Sequence, residues 1–261
     1  MHAVIAAASR ELHSRVLAHL LERIDKTPAI DEPFAHVYLE NVFPDDVYER
    51  LLRHLPCPEL YSTGAERHHG GNDGHYVRSM FHLTAANLAR LSAEQQELFG
   101  AVAAALTAVE LKEALFGKLA TDLAYRYGVP RSDASTLEGY ARPTLYRETE
   151  GFEIPPHPDT RRKVVTMHLY WPADRSQLGL GTGLYRRKLL AWPFGSWHHR
   201  FERVKQFLFQ PNSGYAFVVN NTLTKKSWHG RETLPAGAGV RNTLLNTFYE
   251  TPRDGFTGYL S

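Results

Sequence analysis

The stretch His157-Pro158-Asp159-Thr160-Arg161-Arg162-Lys163-Val164-Val165-Thr166-Met167-His168-Leu169-Tyr170 decides how this chain folds. Its second half, from Lys163 to Tyr170, is rich in β-branched and aromatic residues, which suit a pleated and largely buried surface. Ser213 to Val219 and Arg241 to Tyr249 have the same character, each bounded by glycine, asparagine or proline. From Leu137 onward the chain therefore reads as strands and turns.

Ahead of that point helical spacing prevails. Leu12, Val16, Leu17, Leu20, Leu21 and Ile24 recur at the helical period within residues 9–24, with charges between them. Pro33 to Leu39 alternates as a short strand, and Pro44 to His54 reads as a helix stopped by Pro56. Ser92, with Gln95 three residues on, forms a capping box. It opens a long helix whose stripe is Leu98, Val102, Leu106, Val109, Leu115 and Leu119. Helices followed by many strands predict an α+β fold, a double-stranded β-helix (jelly roll) core braced by N-terminal helices. No repeat or linker divides the chain, so residues 1–261 are expected to form one domain. Residues 1–136 supply mainly helical support with a short strand, and 137–261 the jelly roll.

With 43% apolar residues the chain can bury a sizeable core without disulfides. The 30 basic and 28 acidic residues leave a formal charge of +2, which argues against a nucleic-acid or membrane-surface partner. The runs Arg161-Arg162-Lys163 and Arg186-Arg187-Lys188 read as solvated surface. The single cysteine, Cys57, excludes an internal disulfide and fits a reducing compartment. The apolar run Ala3 to Ala8 is too short for a signal peptide, and no run approaches the roughly 20 residues of a membrane span. A soluble, cytoplasmic location is the expectation, with a homodimer possible but not indicated.

The chemistry concentrates on three residues. If the backbone at His157-x-Asp159 is extended, both side chains leave it on one side. His229, in Ser227-Trp228-His229-Gly230, is the best third ligand, with Gly230 letting the backbone pass close by. Two imidazoles and a carboxylate suit a facial triad on non-haem iron, leaving the opposite face open. With 14 histidines in the chain a lone His-x-Asp is a weak signal, and it is the order of elements that gives it weight. His68, His69 and His75 crowd the loop Gly64 to Gly74 and its edge, and read as solvated.

Here the chain resembles the iron(II)/2-oxoglutarate-dependent oxygenases, most closely their prolyl-4-hydroxylase-like branch, over about residues 140–250. Tyr146-x4-Gly151-x5-His157-x-Asp159 is similar to that branch's lead into the first ligands. Lys163 to Tyr170 is similar to its next strand, Gly181-Thr182-Gly183-Leu184 to the glycine-rich start of another, and Asn212-Ser213-Gly214-Tyr215-Ala216-Phe217 to the strand before the distal histidine. The resemblance implies iron(II) on His157, Asp159 and His229, with 2-oxoglutarate as cosubstrate and dioxygen as oxidant. It also implies release of succinate and carbon dioxide as an unactivated C–H is hydroxylated.

Arg241, twelve residues beyond His229, supplies what a dicarboxylate needs at its far end: a permanently charged fork that gives two parallel hydrogen bonds. Thr243 shares its strand face and offers a third donor. The resemblance places the Tyr146 and Tyr170 hydroxyls near the same carboxylate. Asp159 favours hydroxylation over halogenation, since halogenating relatives commonly carry a small residue there. The expected substrate is a small molecule, amino-acid-like or a secondary metabolite. The alternative is a peptide or protein side chain, as for prolyl hydroxylases. Tyr185 to Lys205, with Arg186, Arg187, Trp192, Pro193, Phe194, Trp197, His198, His199 and Arg200, reads as an irregular insertion and a candidate lid. Two other classes stand beside this reading. One is a cupin-like metal isomerase or dioxygenase without 2-oxoglutarate, which has no need of Arg241 and Thr243. The other is a non-catalytic jelly-roll binding module.

Overall fold

Alternation along the strands sorts the chain into two layers of sheet and one of helix. The structure, a computed structural model, describes residues 2–63, 77–188 and 196–255, with side chains from residue 9 onward. In chain order the elements are α1 (His2–Lys26), β1 (His36–Glu40), α2 (Asp45–Arg53), β2 (Arg78–His82), α3 (Ala85–Leu88), α4 (Ala93–Thr107), α5 (Val109–Lys118) and α6 (Ala120–Tyr127). There follow β3 (Tyr140–Glu148), β4 (Ile154–His157), β5 (Lys163–Trp171), β6 (Gly183–Arg187), α7 (Trp197–Arg200), β7 (Phe201–Gln206), β8 (Ser213–Val218), β9 (His229–Arg231) and β10 (Arg241–Tyr249).

The larger sheet has the order β1-β8-β5-β10-β3-β2 and the smaller β4-β9-β6-β7, with antiparallel pairing throughout. Two facing antiparallel sheets of this kind make the expected jelly roll, braced by helices on one side. The register fixes which side chains share a face. Thr166, His168 and Tyr170 of β5 stand opposite Thr247, Leu245 and Thr243 of β10. Across β10, Thr243 and Arg241 stand opposite Tyr146 and Glu148 of β3. That parity looks toward the small sheet. The other parity (Val165, Met167, Leu169 and Trp171 of β5, Leu244 and Phe248 of β10) is buried with Val16 and Leu20 of α1, Leu98 and Val102 of α4, and Leu111 and Leu115 of α5. Burying these side chains, at roughly 1.5–3 kcal/mol each, holds the helical layer against the sheet. A second cluster (Phe34, Tyr170, Leu184, Phe207, Phe209, Tyr215, Phe217 and Val219) fills one end of the space between the sheets.

The structure departs from the sequence reading in several places. The single long helix after Ser92 is broken: Ala108, with ψ 139°, separates α4 from α5, and α6 follows. A straight helix over residues 93–118 would run about 39 Å, beyond a nine-residue strand of about 30 Å. The break keeps the apolar stripe over the sheet. The capping box stands as expected, with Ser92 Oγ accepting from Gln95 N–H and Gln95 Oε1 accepting from Ser92 N–H. The first strand begins at His36 rather than Pro33, and the N-terminal half also contributes β2 to the large sheet. The segment 185–205 is largely a hairpin, with Tyr185, Arg186 and Arg187 of β6 paired with Arg203, Glu202 and Phe201 of β7. Trp192, Pro193 and Phe194, like His68, His69 and His75, lie outside the described residues. No helix among the described residues is long and apolar enough to cross a membrane.

Candidate metal centre

His157 ends β4 and His229 begins β9, and the two are register partners. Their rings lie 4.4 Å apart between centroids. Asp159 follows two residues after His157, but not on extended backbone as the spacing suggested: its φ is 62°. The left-handed region disfavours a residue with a side chain, and such outliers gather at functional sites. Asn221 Nδ2 holds the turn by donating to Asp159 O over 2.9 Å. The turn carries the carboxylate back between the two imidazoles. Asp159 Oδ1 lies 3.5 Å from His157 Nε2, and Oδ2 lies 3.6 Å from His229 Nε2. One atom from each residue falls within 4.8 Å of the others, a spacing that can hold one metal ion.

The protonation states suit ligation. His157 Nδ1 lies 3.0 Å from Pro155 O, and His229 Nδ1 lies 2.9 Å from Ser227 O. A carbonyl only accepts, so Nδ1 is the donor in each ring and Nε2 is the atom turned toward Asp159. Burial, with His157 adding to it, pushes the His229 imidazole down to about 3, so it is neutral. Burial alone would raise the Asp159 carboxyl; the Lys163 ammonium beside it outweighs burial and holds that group well below the usual range. Lys163 Nζ donates to Asp159 Oδ1 over 2.7 Å, and Thr166 Oγ1 reaches Oδ2 at 3.5 Å. Lys163 is thus not part of a solvated run but turns inward as the counter-ion of Asp159. Gly230 also has a different purpose from the expected one. A Cβ there would stand 2.7 Å from Ile154 O and 3.0 Å from Pro156 N, so the clearance serves β4 rather than a ligand.

The same cavity runs from these three residues to a second, basic pole. Arg241, 1% exposed, donates Nε–H to Leu180 O over 2.9 Å and Nη1–H to Glu148 Oε2. Glu148, equally buried, also faces Arg78, whose Nε lies 3.2 Å from Oε1 without hydrogen-bond alignment. Arg78 stacks on the Tyr146 ring, 3.9 Å from its centroid. Arg231 lines the cavity beside Arg241, and burial lowers its guanidinium to about 10, still cationic at neutral pH. Arg241 Nη2, Thr243 Oγ1, and Arg231 Nε and Nη2 are buried with no hydrogen-bond partner. Such orphaned donors cost about 1–3 kcal/mol each, more when charged, unless a ligand or water takes them. Of these, the Arg241 and Arg231 donors border the cavity, and they fit one carboxylate of a dicarboxylate whose other end reaches the metal position.

Of the residues read from sequence, His157, Asp159 and His229 come together, and Tyr146 and Arg241 line the cavity with them. Tyr170 and Thr243 are not among its lining residues. The Tyr170 hydroxyl accepts from Thr182 N–H over 3.1 Å, and its ring lies 5.5 Å from the Arg241 guanidinium. No described residue of 185–205 lines the cavity, so the lid finds no support among them. Trp197 packs edge-on to Tyr185 and donates to Glu153 Oε1 over 2.6 Å instead. Sequence reading missed Arg78, Glu148 and Arg231. Period two held a signal for two of them: Arg231 shares a strand face with His229, and Glu148 with Tyr146.

No family model matches the chain, and no curated protein matches it in sequence. Solved structures do. A prolyl-4-hydroxylase from Pseudomonas putida is similar with a TM-score of 0.50 at 14% identity, covering 90% of this chain and 99% of that one. The dioxygenase for auxin oxidation from Arabidopsis thaliana, solved with 2-oxoglutarate, is similar with a TM-score of 0.52 at 10% identity, covering 88% and 87%. The chain therefore has the double-stranded β-helix fold of the 2-oxoglutarate oxygenases.

Proposed function

We propose that this protein is an iron(II)- and 2-oxoglutarate-dependent oxygenase that hydroxylates a small molecule. The observation carrying the reading is the pairing of two poles in one cavity: two imidazoles and a carboxylate at one, and unpartnered buried guanidinium donors at the other. When bound, the iron, 2-oxoglutarate and dioxygen supply oxidative decarboxylation, giving succinate and carbon dioxide with insertion of one oxygen into a substrate C–H bond. The residues do the holding. His157, Asp159 and His229 would hold the metal, while Lys163 and Thr166 fix the Asp159 carboxylate. Arg241 takes the far carboxylate through Nη2, with Arg231 beside it, and Tyr146 and Phe152 line the cavity against Arg78. A cupin-like site without 2-oxoglutarate has no use for these spare donors.

Anaerobic addition of iron(II) and 2-oxoglutarate is expected to produce the weak visible charge-transfer band of a chelated keto acid. His157→Ala and His229→Ala are expected to abolish it. Absence of the band in the wild-type protein at saturating iron and cosubstrate refutes the proposal. Screening amino acids, peptides and metabolites for stoichiometric succinate then separates small-molecule from peptidyl substrates, the prolyl-type alternative among them.

A further inference from the structure

The cavity has more positive charge than the proposed metal and cosubstrate use. Five cationic side chains line it: Arg78, Arg142, Lys163, Arg231 and Arg241. Against them stand only Glu148 and Asp159, leaving an excess of three charges. Iron(II) and the 2-oxoglutarate dianion cancel one another, so the excess survives their binding. The wider mouth next to this cavity shares Arg78, Arg142, His157, Asp159, Lys163 and Tyr249 with it. It adds Arg162 and Asp254, which lie 3.5 Å apart and balance each other.

Three of the cations have carboxylate partners: Lys163 faces Asp159, and Arg78 and Arg241 share Glu148. Arg231, without a carboxylate of its own, stands beside Arg241 at the end proposed for the far carboxylate of the cosubstrate. Arg142 is left at the opposite end. Among the described residues no carboxylate pairs with it. Its guanidinium stacks on the Tyr249 ring at 4.4 Å and donates to the Tyr249 hydroxyl, which leaves the rest of the fork open. The position is also telling. Arg142 stands opposite Thr247 in the register, and Thr247 stands opposite Thr166, whose hydroxyl reaches Asp159. Arg142 therefore lies at the metal end of the barrel, away from Arg241. A forked donor there, steadied by an aromatic face, matches the geometry of a carboxylate.

We infer that the substrate carries a carboxylate, bound at the cavity mouth by Arg142 against Tyr249, so that a neighbouring C–H faces the metal position. This rests on the proposed oxygenase reading and narrows its substrate to small organic acids, amino acids included. A neutral peptidyl residue leaves the Arg142 guanidinium without a counter-charge.

The test uses the full chain loaded anaerobically with iron(II) and 2-oxoglutarate. The probes are benzoate, 3-phenylpropanoate and a set of N-acetyl amino acids, each paired with its carboxamide. Binding is read by calorimetry and by the change in the visible band. At least one acid is expected to bind about tenfold more tightly than its amide, the scale of one charge-assisted contact. Arg142→Gln is expected to bring that ratio to about one, and Arg142→Lys to retain part of it. The affinity for 2-oxoglutarate, read from the same band, serves as the internal control. Equal affinities within every pair, no binding by any acid, or a ratio that persists in Arg142→Gln overturns the inference. A missing band in the wild type brings down the oxygenase reading instead, so the two failures are distinct.

Discussion

Replacing Glu148 by glutamine is expected to move stability and cosubstrate affinity in opposite directions. Glu148 is 1% exposed and is shared by Arg241 and Arg78, with Arg231 close by. Removing one partner from a buried ion pair costs about 3–5 kcal/mol, because the remaining charges lose their counter-ion. In Glu148→Gln the losers are guanidinium groups in one small space, so the metal-free protein is expected to lose about 4 kcal/mol. At roughly 2–4 °C per kcal/mol for a chain of this size, the melting temperature falls by about 8–16 °C. The same change removes a negative charge next to the proposed seat of the far carboxylate. At a separation of about 6 Å and an effective dielectric of about 20, that repulsion is worth about 3 kcal/mol, or roughly a hundredfold in affinity. Arg241→Gln has the same sign for stability and the reverse sign for binding, since it removes the fork itself. Urea unfolding of the metal-free variants measures the first quantity, and anaerobic titration of 2-oxoglutarate the second. If Glu148→Gln weakens 2-oxoglutarate binding as Arg241→Gln does, charge balance does not govern this pole, and Glu148 merely aims the arginine.

Other outcomes follow from the same geometry. Gly230→Ala places a Cβ 2.7 Å from Ile154 O, which forces β9 from β4 and His229 from His157. Iron(II) affinity, measured by competition with a chelator, is expected to fall at least about tenfold, and unchanged affinity contradicts the strand-spacing argument. Asp122, fully buried, accepts from Ala35 N–H at 2.9 Å, Asn220 Nδ2 at 2.6 Å and Lys225 Nζ at 2.6 Å. Asp122→Ala strands all three donors and is expected to cost about 3–5 kcal/mol in urea unfolding; a loss under about 1 kcal/mol speaks against that network. Burial holds His229 down to about 3 and His168 well below its usual range, so the unfolded chain binds protons below pH ~6.5 that the metal-free native state does not. Stability is then complete above that pH and falls on acidification, by up to about 1.4 kcal/mol per pH unit for each histidine. His168→Gln is expected to flatten the pH dependence of the melting temperature between pH 4 and 6, and an unchanged slope rejects the assignment.

How far the sequence spoke is decided by what alternation can and cannot say. Period two told that Arg241 and Thr243 share a strand face, while the apolar parity of β5 and β10 lies under the helices. Alternation does not say what the polar parity faces. In a sheet covered by helices on one side, the usual expectation for the other side is water. Here it faces a second sheet, so Glu148 and Arg78, and Arg231 on that second sheet, which resemble surface charges in the linear chain, are turned inward. His157, Asp159 and His229 were readable because metal ligands are few in type and their spacing is local on one side. The partnership of Arg78 with Glu148 was not, because it depends on the register of β2 against β3, which only the folded sheet sets. Composition conceals the same point in another way. A chain with a formal charge of +2 looks electrically bland, yet an excess of three positive charges sits in its one cavity that joins the metal pole to the arginine pole among the described residues. Concentrated charge inside a low-dielectric wall selects ligands, whereas the same charge spread over the surface is screened within about 10 Å. The location of the cations, rather than their number, therefore carries the information about what this site accepts.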